Sequence, residues 1–496
     1  MLDRHDWVTP TLWGRPWLEK PPLLYWGQML AYKATGSVTG WAARLPSAAL
    51  CALMIFFIYV WARRFRRGMQ LDAALITAAS VLVIGFGRGA STDMPLTAMF
   101  TIAMLSWWGW YESQNRAWLL TFYSFAGLGT LAKGPVAAFL AGLIIFAFTA
   151  LRRDWRLVLR TLWLPGIALY VAVVLPWFIA VQRANPEFFR VFILEHNLAR
   201  YTSDLYRHKQ PFWYYVPLAL IGLLPWTIFV VTALVDAIRD WRFSVSELPG
   251  REDLRTFLGL WFLLPILFFS LSQSKLPGYI LPAIPAGAIL LADFVLRREE
   301  DDEKPEAWLI ASHAVLCAAL MVAALIVPFK LVHQEMTQPA LIVAVVLAVI
   351  GVLSVWLSLR TQGYRMLRFV TLVPVLIAFA LLLRGTAPIL DALQSARPVE
   401  LRLAATTLGE VPTVAVYDVS RSLEYGLGFY RNHQIASYER NEIPDVEHIV
   451  IAAAGSKTEL EYRLKGRRVT SIGGYSPQKL DFYLVSAAGA TPSNPQ

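Results

Sequence analysis

The sequence is poor in cysteine and in charged residues. Only two cysteines, Cys51 and Cys317, occur among 496 residues, and both lie inside apolar runs. They support neither a disulfide framework nor a metal–thiolate site. Charged residues make up 16% of the chain, whereas a soluble domain usually carries about 25%. Internal repeats and low-complexity tracts are also missing. These absences exclude a disulfide-rich secreted domain and argue against an ordinary soluble enzyme.

The sequence is rich in apolar runs, and hydrophobic residues account for 56% of it. Many runs approach the roughly 20 residues that an α-helix needs to cross a bilayer. Tryptophan and tyrosine often stand at the ends of these runs, where aromatic belts meet the membrane surface. We therefore predict a mainly α, polytopic membrane helix bundle with about twelve spanning helices, near residues 41–62, 71–88, 93–111, 117–132, 134–151, 159–181, 213–237, 256–272, 278–296, 307–328, 339–358 and 366–386.

Arginine is concentrated in alternate short loops, for example at residues 63–67 and 152–156. Because cytoplasmic loops carry the excess of Lys and Arg, these loops are predicted to face the cytoplasm. The first loop, residues 1–40, the loop 182–212 and the tail are then extracytoplasmic. The net charge of +10 follows from this bias and requires no nucleic-acid partner.

The tail differs in character from the membrane region, which we predict to span residues 41–387. Residues 388–489 contain no run long enough to cross a membrane and are predicted to form a small extracytoplasmic α/β domain. Residues 490–496 are predicted to be a disordered tail. The predicted helices lie near 420–430 and 456–464, and the predicted strands are Thr413–Tyr417, His448–Ala452, Val469–Ile472 and Leu480–Val485.

The first loop contains a carboxylate and an ammonium group side by side, in the segment GRPWLEKPP. Glu19 and Lys20 precede Pro21 and Pro22, which keep the backbone extended. Neighbours in an extended chain point to opposite sides. One side chain could therefore bind a cation while the other meets an anion. A solvated loop pair is the simpler alternative.

The loop 182–212 contains a second group of polar residues. Asn185, followed by proline, is a good helix start, and helical spacing places His196 and Arg200 on one face. The imidazole of His196, together with the distant carboxylate of Glu19, suits a divalent ion. The alternative is an amphipathic interfacial helix with an incidental histidine.

Lys275 stands just ahead of Pro277, where a helix would begin. A cation beside the backbone N–H groups of a helix start forms an anion site. Tyr279 follows within the first turn and could donate its hydroxyl. The alternative is a flanking lysine that only anchors the membrane segment.

Two further charged residues lie beside predicted spanning helices. Asp93 precedes Pro95 and is predicted to cap the helix that this proline opens. Lys133 occupies a turn between two short apolar helices, where snorkelling would bring its ammonium to the outer face. There it too could meet a phosphate.

The predicted topology places four cations, Lys20, Lys133, Arg200 and Lys275, on one face of the membrane. Such a cluster suits an anionic group at the lipid interface, and the surrounding aromatic residues suit a sugar or a lipid chain. A polyprenyl-phosphate-linked sugar has all three parts, and its partners would be a lipid or protein acceptor and the membrane lipids.

At these motifs the sequence resembles the GT-C class of membrane glycosyltransferases that use polyprenyl-phosphate sugars. It is most similar to bacterial aminoarabinose transferases acting on lipid A, and more distantly to protein O-mannosyltransferases. The similarity covers roughly residues 1–300, and its motifs are LEKPP at 18–22, TDMPL at 92–96, LAKGP at 131–135, EHN at 195–197, PWT at 225–227 and SKLPGYILP at 274–282.

This resemblance implies a GT-C fold and an activity. A sugar would move, with inversion, from undecaprenyl phosphate to a hydroxyl or phosphate on lipid A, another glycolipid or glycan, or a protein. The protein would lie in the bacterial inner membrane, with its active face and C-terminal domain in the periplasm. A different class remains open, namely a transporter or flippase for a lipid-linked sugar.

The resemblance also implies roles for individual residues. Glu19 and His196 would bind one divalent metal, which is zinc, magnesium or manganese. The lipid phosphate would be held by Lys20, Arg200, Lys275 and Tyr279, with Lys133 nearby. Asp93 matches a further polar position close to the site.

One family feature is missing from the chain. Family members carry an additional spanning helix, followed by an Asp-Glu pair that includes the proposed catalytic base. Here residue 1 aligns with a segment that follows this pair. We expect the upstream in-frame DNA to encode a basic start, about 20 apolar residues and the acidic pair. Within the chain, Asp93 is the fallback base, ahead of Asp3 and Asp6. An inactive binding homologue is the alternative.

Overall fold

The computed structural model describes residues 1–192, 195, 210–243, 251–406 and 413–488. The chain is mainly helical and divides into two compact units. The first comprises Met1–Val322 and Val343–Ile377, and the second Ala323–Ile342 and Ala378–Gln496.

Helices follow one another along most of the described chain up to residue 406, joined by short turns. They are α1 (Leu23–Thr35), α2 (Leu45–Phe65), α3 (Gln70–Ala78), α4 (Val81–Gly87), α5 (Asp93–Ser113), α6 (Arg116–Lys133), α7 (Val136–Arg152), α8 (Trp155–Thr161), α9 (Leu164–Ala184), α10 (Tyr215–Gly222), α11 (Thr227–Phe243), α12 (Arg251–Ser270), α13 (Ile284–Glu300), α14 (Ala307–Leu331), α15 (Gln338–Gln362), α16 (Leu367–Leu381), α17 (Ala387–Gln394) and α18 (Ala396–Thr406).

The bundle of membrane helices is confirmed, but the count of about twelve spans is not. By length and composition, the described residues contain six helices able to cross a membrane, or up to eight if two bent helix pairs each form one span. Helix α5 was predicted as a span and is not among them. Its residues from Met94 to Trp110 are all buried, so the helix packs against protein along its length. A central helix of this kind need not be as apolar as one that faces lipid.

Aromatic side chains form the centre of the first unit. Trp107 of α5 stacks on Phe257 with ring centroids 5.3 Å apart, and its ring meets Phe148 edge-on at 5.9 Å. Tyr111 also stacks on Trp107 at 5.7 Å. Offset and edge-to-face pairs of this kind add stabilisation beyond the burial of their area. They join α5 to α7 and α12.

Interhelical ion pairs lie at the end of the unit where the predicted cytoplasmic arginines are found. We call this end the arginine-rich face and define it by Arg66, Arg152, Arg297 and Arg368. Their carboxylate partners are Glu112 at 2.7 Å, Asp253 at 2.5 Å, Asp236 at 2.7 Å and Asp72 at 2.6 Å, respectively. Helix α5 begins with Asp93 and ends near Glu112, so Asp93 lies at the opposite end.

Strands β1 (Thr11–Leu12) and β2 (Arg15–Pro16) belong to the first loop. The second unit contains a five-stranded sheet made of β3 (Thr413–Tyr417), β4 (Ala436–Ser437), β5 (His448–Ala453), β6 (Val469–Tyr475) and β7 (Leu480–Val485), in the order β4-β3-β5-β7-β6. Strand β3 pairs parallel with β4 and β5. Strand β7 pairs antiparallel with β5 and with β6. Helices α19 (Arg421–Arg431) and α20 (Lys457–Arg463) lie between strands in sequence.

The predicted C-terminal α/β domain is therefore confirmed. The four predicted strands and both predicted helices are present. The prediction missed β4, because a strand of two residues is too short to show an alternating pattern.

Candidate active site

Two charged residues meet at the ends of adjacent helices. Asp93 is the first residue of α5, Lys133 is the last residue of α6, and the Lys133 ammonium donates a hydrogen bond to Oδ1 of Asp93. Both side chains are largely shielded, with 17% and 12% of their surface exposed. The prediction that Asp93 caps α5 is wrong. Thr92 occupies the cap position without a side-chain bond, and the Asp93 carboxylate pairs with Lys133 instead.

Tyr279 lies against the same ion pair. It belongs to the 3₁₀ helix Pro277–Ala283, and the Lys133 ammonium is 4.6 Å from the centre of its ring. A cation over an aromatic face is attracted by the ring quadrupole. Gly278 allows the close approach, since a Cβ there would lie 2.5 Å from Oδ1 and 2.7 Å from Oδ2 of Asp93. We call Asp93, Lys133, Gly278 and Tyr279 the site cluster.

Replacing Gly278 with Ala is expected to displace the Asp93 carboxylate and break its pair with Lys133. Overpacking of this kind usually costs about 1–3 kcal/mol, so the unfolding temperature of the purified protein should fall. Gly85→Ala is the matched control, because a Cβ at Gly85 meets no atom within 4 Å. Equal unfolding temperatures for the two variants would contradict the close packing at Gly278.

Lys275 is oriented toward the backbone of its own turn. Its side chain is 6% exposed, and its ammonium donates to the Ser272 carbonyl. Burial lowers the pKa of this ammonium. The amide N–H of Leu276, just before the 3₁₀ helix, donates to the Tyr215 hydroxyl at 3.1 Å. The role of Lys275 in an anion site stays a prediction.

The first loop is folded and is attached to the end of α9. A two-residue turn at Trp13 and Gly14, both with positive φ, joins the short strands Thr11–Leu12 and Arg15–Pro16. The indole of Trp177 donates to the Val8 carbonyl at 3.0 Å, and Asn185 donates to the Thr9 hydroxyl at 2.9 Å. Asn185 ends α9 and is bound to the loop.

This attachment holds Glu19 and Lys20 close to the site cluster. Both are half-buried, and the preceding residue, Leu18, shares a hydrophobic cluster with Leu131. Leu131 lies two residues before Lys133 on α6. Leu23, three residues after Lys20, packs against that cluster and against a second cluster containing Leu96 of α5. The loop therefore packs against the ends of α5 and α6 that carry Asp93 and Lys133.

Tyr25 is a neighbour of Glu19 that the sequence analysis missed. Burial, followed by the nearby charge of Glu19, raises the pKa of the Tyr25 hydroxyl to about 12. Tyr215 was missed as well. Both lie in aromatic-rich apolar segments, where a tyrosine is more often a belt residue than a site residue. The sequence contains no signal that distinguishes the two roles.

His196 and Arg200 lie outside the described residues, as does most of the segment predicted to present them. Across the ranges that the structure describes, no group of three or more His, Cys, Asp or Glu side chains could hold a metal ion. Glu19 is thus the one described member of the predicted metal pair. The described residues do not make a metal centre, and the chemistry below uses none.

Residues 19–179 match the family model described as dolichyl-phosphate-mannose-protein mannosyltransferase. The matched range contains four of the predicted site residues, Glu19, Lys20, Asp93 and Lys133, and ends before the other four. It covers about a third of the chain.

Bacterial transferases are similar to this chain over a longer range of residues. The undecaprenyl phosphate-alpha-4-amino-4-deoxy-L-arabinose arabinosyl transferase of Erwinia tasmaniensis is 30% identical over 464 residues, which cover 86% of this chain and 81% of that protein. This chain belongs to that transferase family. The Aeromonas hydrophila member of the family is 32% identical over 361 residues, covering 70% of this chain and 63% of that protein. The match thus spans less than two thirds of the Aeromonas relative.

Solved structures have the same fold. ArnT from Cupriavidus metallidurans bound to undecaprenyl phosphate superposes with a TM-score of 0.75 at 22% identity, covering 100% of this chain and 93% of that one. The apo state of the same protein superposes with a TM-score of 0.74. The predicted GT-C fold is confirmed, and the protein is a multi-pass protein of the bacterial inner membrane.

Proposed function

We propose that this protein is a membrane glycosyltransferase that moves a sugar from undecaprenyl phosphate to a hydroxyl or phosphate of lipid A, with inversion. The site cluster carries the proposal: a carboxylate, an ammonium and an aromatic ring meet at one end of the bundle. Family membership supports the donor and the acceptor. Another glycolipid, a glycan or a protein is the alternative acceptor.

The cations of the site would bind the lipid phosphate. Lys20, Lys275 and Arg200 supply the positive charge, with Lys133 and Tyr279 beside them. The phosphate gains charge as the bond to the sugar breaks, and fixed cations in a poorly hydrated site stabilise that charge more than water does. This electrostatic contribution is usually the largest in such a transfer.

Among the carboxylates of this chain, Asp93 would be the fallback base for the acceptor, since the family's own base is expected in the preceding acidic pair. The acceptor oxygen attacks the anomeric carbon, the bond from that carbon to the phosphate oxygen breaks, and the phosphate leaves with the electron pair. The acceptor proton passes to the carboxylate. Asp93 takes the proton and Glu19 is assigned to the metal, so neither carboxylate is proposed as a nucleophile, and a single displacement inverts the anomeric carbon.

The end of the bundle with the site cluster would face the periplasm. The arginine-rich face lies at the other end, and arginine accumulates on the cytoplasmic side. A cysteine introduced at the exposed Arg15 of the first loop, in a chain with Cys51 and Cys317 replaced, should react with a membrane-impermeant maleimide added to whole cells with a permeabilised outer membrane. Labelling only after cell lysis would show that this end faces the cytoplasm and would contradict the proposed orientation.

The metal proposal concerns Glu19 and His196. We expect one divalent ion per chain in the purified protein, and its loss in Glu19→Ala or His196→Ala, because a lone remaining ligand binds weakly. Elemental analysis near neutral pH measures the content. Glu187→Ala is the control, since Glu187 is an exposed carboxylate paired with Arg190. Equal metal in wild type and Glu19→Ala would rule out Glu19 as a ligand.

The function is tested with the purified protein in liposomes. Undecaprenyl-phosphate aminoarabinose and lipid A are added, and mass spectrometry follows the products. We expect lipid A to gain the sugar and the donor to become undecaprenyl phosphate. A transporter or flippase would carry the donor across the bilayer and leave lipid A unchanged, and that outcome would overturn the proposal.

A further inference from the structure

The short helix α8, the turn after it and the first residue of α9 expose several large apolar side chains at the arginine-rich face. The exposed fraction is 55% for Trp155, 71% for Leu159, 58% for Leu162 and 76% for Leu164. Exposed leucine and tryptophan interspersed with arginine are typical of a helix that lies in the membrane interface. This segment therefore has the composition expected of one that contacts lipid headgroups.

A cavity of about 440 Å³ opens beside this segment. Its lining combines three polar side chains, two indoles and four leucines from α5, α6, α8, the start of α9 and the turns between them. Arg116 and Arg160 both contribute to its wall, and the Arg116 guanidinium lies 5.4 Å from the ring centre of Trp163. The cavity thus combines two cations with indole rings, which favour the interface.

The charges of this cavity differ from those elsewhere on the same face. Arg66, Arg152, Arg297 and Arg368 each pair with a carboxylate. Within the described ranges, neither Arg116 nor Arg160 forms an ion pair. The cavity has a net positive charge that the protein does not neutralise, which suits an external anion.

A second cavity of about 330 Å³ adjoins the first. Its lining is almost wholly apolar and includes Phe122, Ile145 and Ile167 from α6, α7 and α9. Leu162, in the turn between α8 and α9, lines both cavities. A cationic cavity and an apolar cavity therefore meet at Leu162.

We propose that the two cavities form one site for an anionic phospholipid such as phosphatidylglycerol. The headgroup phosphate lies between Arg116 and Arg160, and an acyl chain passes Leu162 into the apolar cavity. Basic pockets between membrane helices bind anionic lipid headgroups in this way.

This site is separate from the site cluster. Asp93 and Ser113 mark the two ends of α5, and a helix of that length spans about 30 Å at 1.5 Å per residue. Arg116 follows Ser113 closely, whereas Lys133 lies at the other end of α6. The bound lipid belongs to the leaflet opposite the proposed sugar donor, so it is not a substrate of the transfer.

The test compares lipid binding to the full chain in detergent by native mass spectrometry. The binding of phosphatidylglycerol is compared with that of phosphatidylcholine with acyl chains of the same length. We expect a clear preference for phosphatidylglycerol in the wild type. In Arg116→Gln/Arg160→Gln its binding should be about thirtyfold weaker, since each basic residue near an anionic lipid contributes about fivefold.

Arg63→Gln/Arg64→Gln is the control, because it removes the same charge from exposed positions near the arginine-rich face outside the cavity. Its affinity for phosphatidylglycerol should stay close to that of the wild type. An equal loss in both double variants would indicate general attraction to anionic lipid and would overturn the site. An unchanged preference in Arg116→Gln/Arg160→Gln would overturn it as well.

A second variant tests the apolar cavity without changing charge. Gly142 lines this cavity, and a Cβ there meets no atom within 4 Å. Gly142→Leu should fill the space and weaken phosphatidylglycerol binding several-fold at unchanged unfolding temperature. Soluble glycerol phosphate, which lacks acyl chains, should bind far more weakly than the lipid. Equal binding of the lipid and glycerol phosphate would contradict the two-part site.

Discussion

Replacing Asp93 with Asn is expected to lower the kcat of sugar transfer by about 10²–10⁴-fold, the usual contribution of a general base. Asn keeps the size of the side chain and an oxygen that can accept from Lys133, but it cannot take up the acceptor proton. The ion pair with Lys133 shows that the carboxylate is presented at the end of α5. The rate is measured by mass spectrometry of lipid A at saturating donor.

Two controls separate a chemical role from a structural one. Glu187→Gln changes an exposed carboxylate in the same way and should leave kcat unaltered. Binding of undecaprenyl phosphate should be retained in Asp93→Asn, because removing a negative charge near a phosphate does not weaken its binding. If kcat falls by less than about tenfold, Asp93 is not the base.

Asp6 is a poor substitute for Asp93 in this role. Its Oδ1 accepts the backbone N–H groups of Val8 at 2.8 Å and Thr9 at 3.0 Å, and its other oxygen lies 3.4 Å from Arg4. These contacts hold the first loop in its folded form. Asp6→Asn is therefore expected to affect the stability of the loop more than the chemical step.

The second large effect is expected for the phosphate-binding cations. Replacing Lys20, Arg200 or Lys275 with Ala should weaken the binding of undecaprenyl phosphate roughly ten- to hundredfold, since a hydrogen bond to a charged group contributes about 1.5–3 kcal/mol. Lys275 is bound to the Ser272 carbonyl in the structure. To bind the phosphate, the Lys275 ammonium must give up its bond to this carbonyl. The loss of affinity in Lys275→Ala should therefore be close to tenfold, the lower end of the range.

The affinity is measured on purified variants with undecaprenyl phosphate. Lys33→Ala is the control, because Lys33 is exposed at the end of α1 and follows the same loop, and it should bind normally. Unchanged affinity in all three site variants would eliminate the proposed phosphate clamp. A comparable loss in Lys33→Ala would show that net charge, rather than position, governs binding.

The sequence alone was sufficient for the membrane bundle and for the strands of the C-terminal domain. Both rest on local patterns, because a span is a continuous apolar run and a strand alternates over a few residues. Local reasoning failed where packing sets the outcome. Helix α5 is buried on all sides, and β4 is defined only by its parallel partner β3.

The candidate residues could be named from the sequence, but their arrangement could not. Asp93, Lys133 and Tyr279 come from three separate segments, and only the packing of α5 against α6 and the 3₁₀ helix brings them together. Gly278 became significant only when its neighbour was known to be a carboxylate. The two cavities at Leu162 likewise require five helices, α5 to α9. Local patterns determine elements, whereas the contacts between elements depend on side-chain packing across long separations, which no local pattern records.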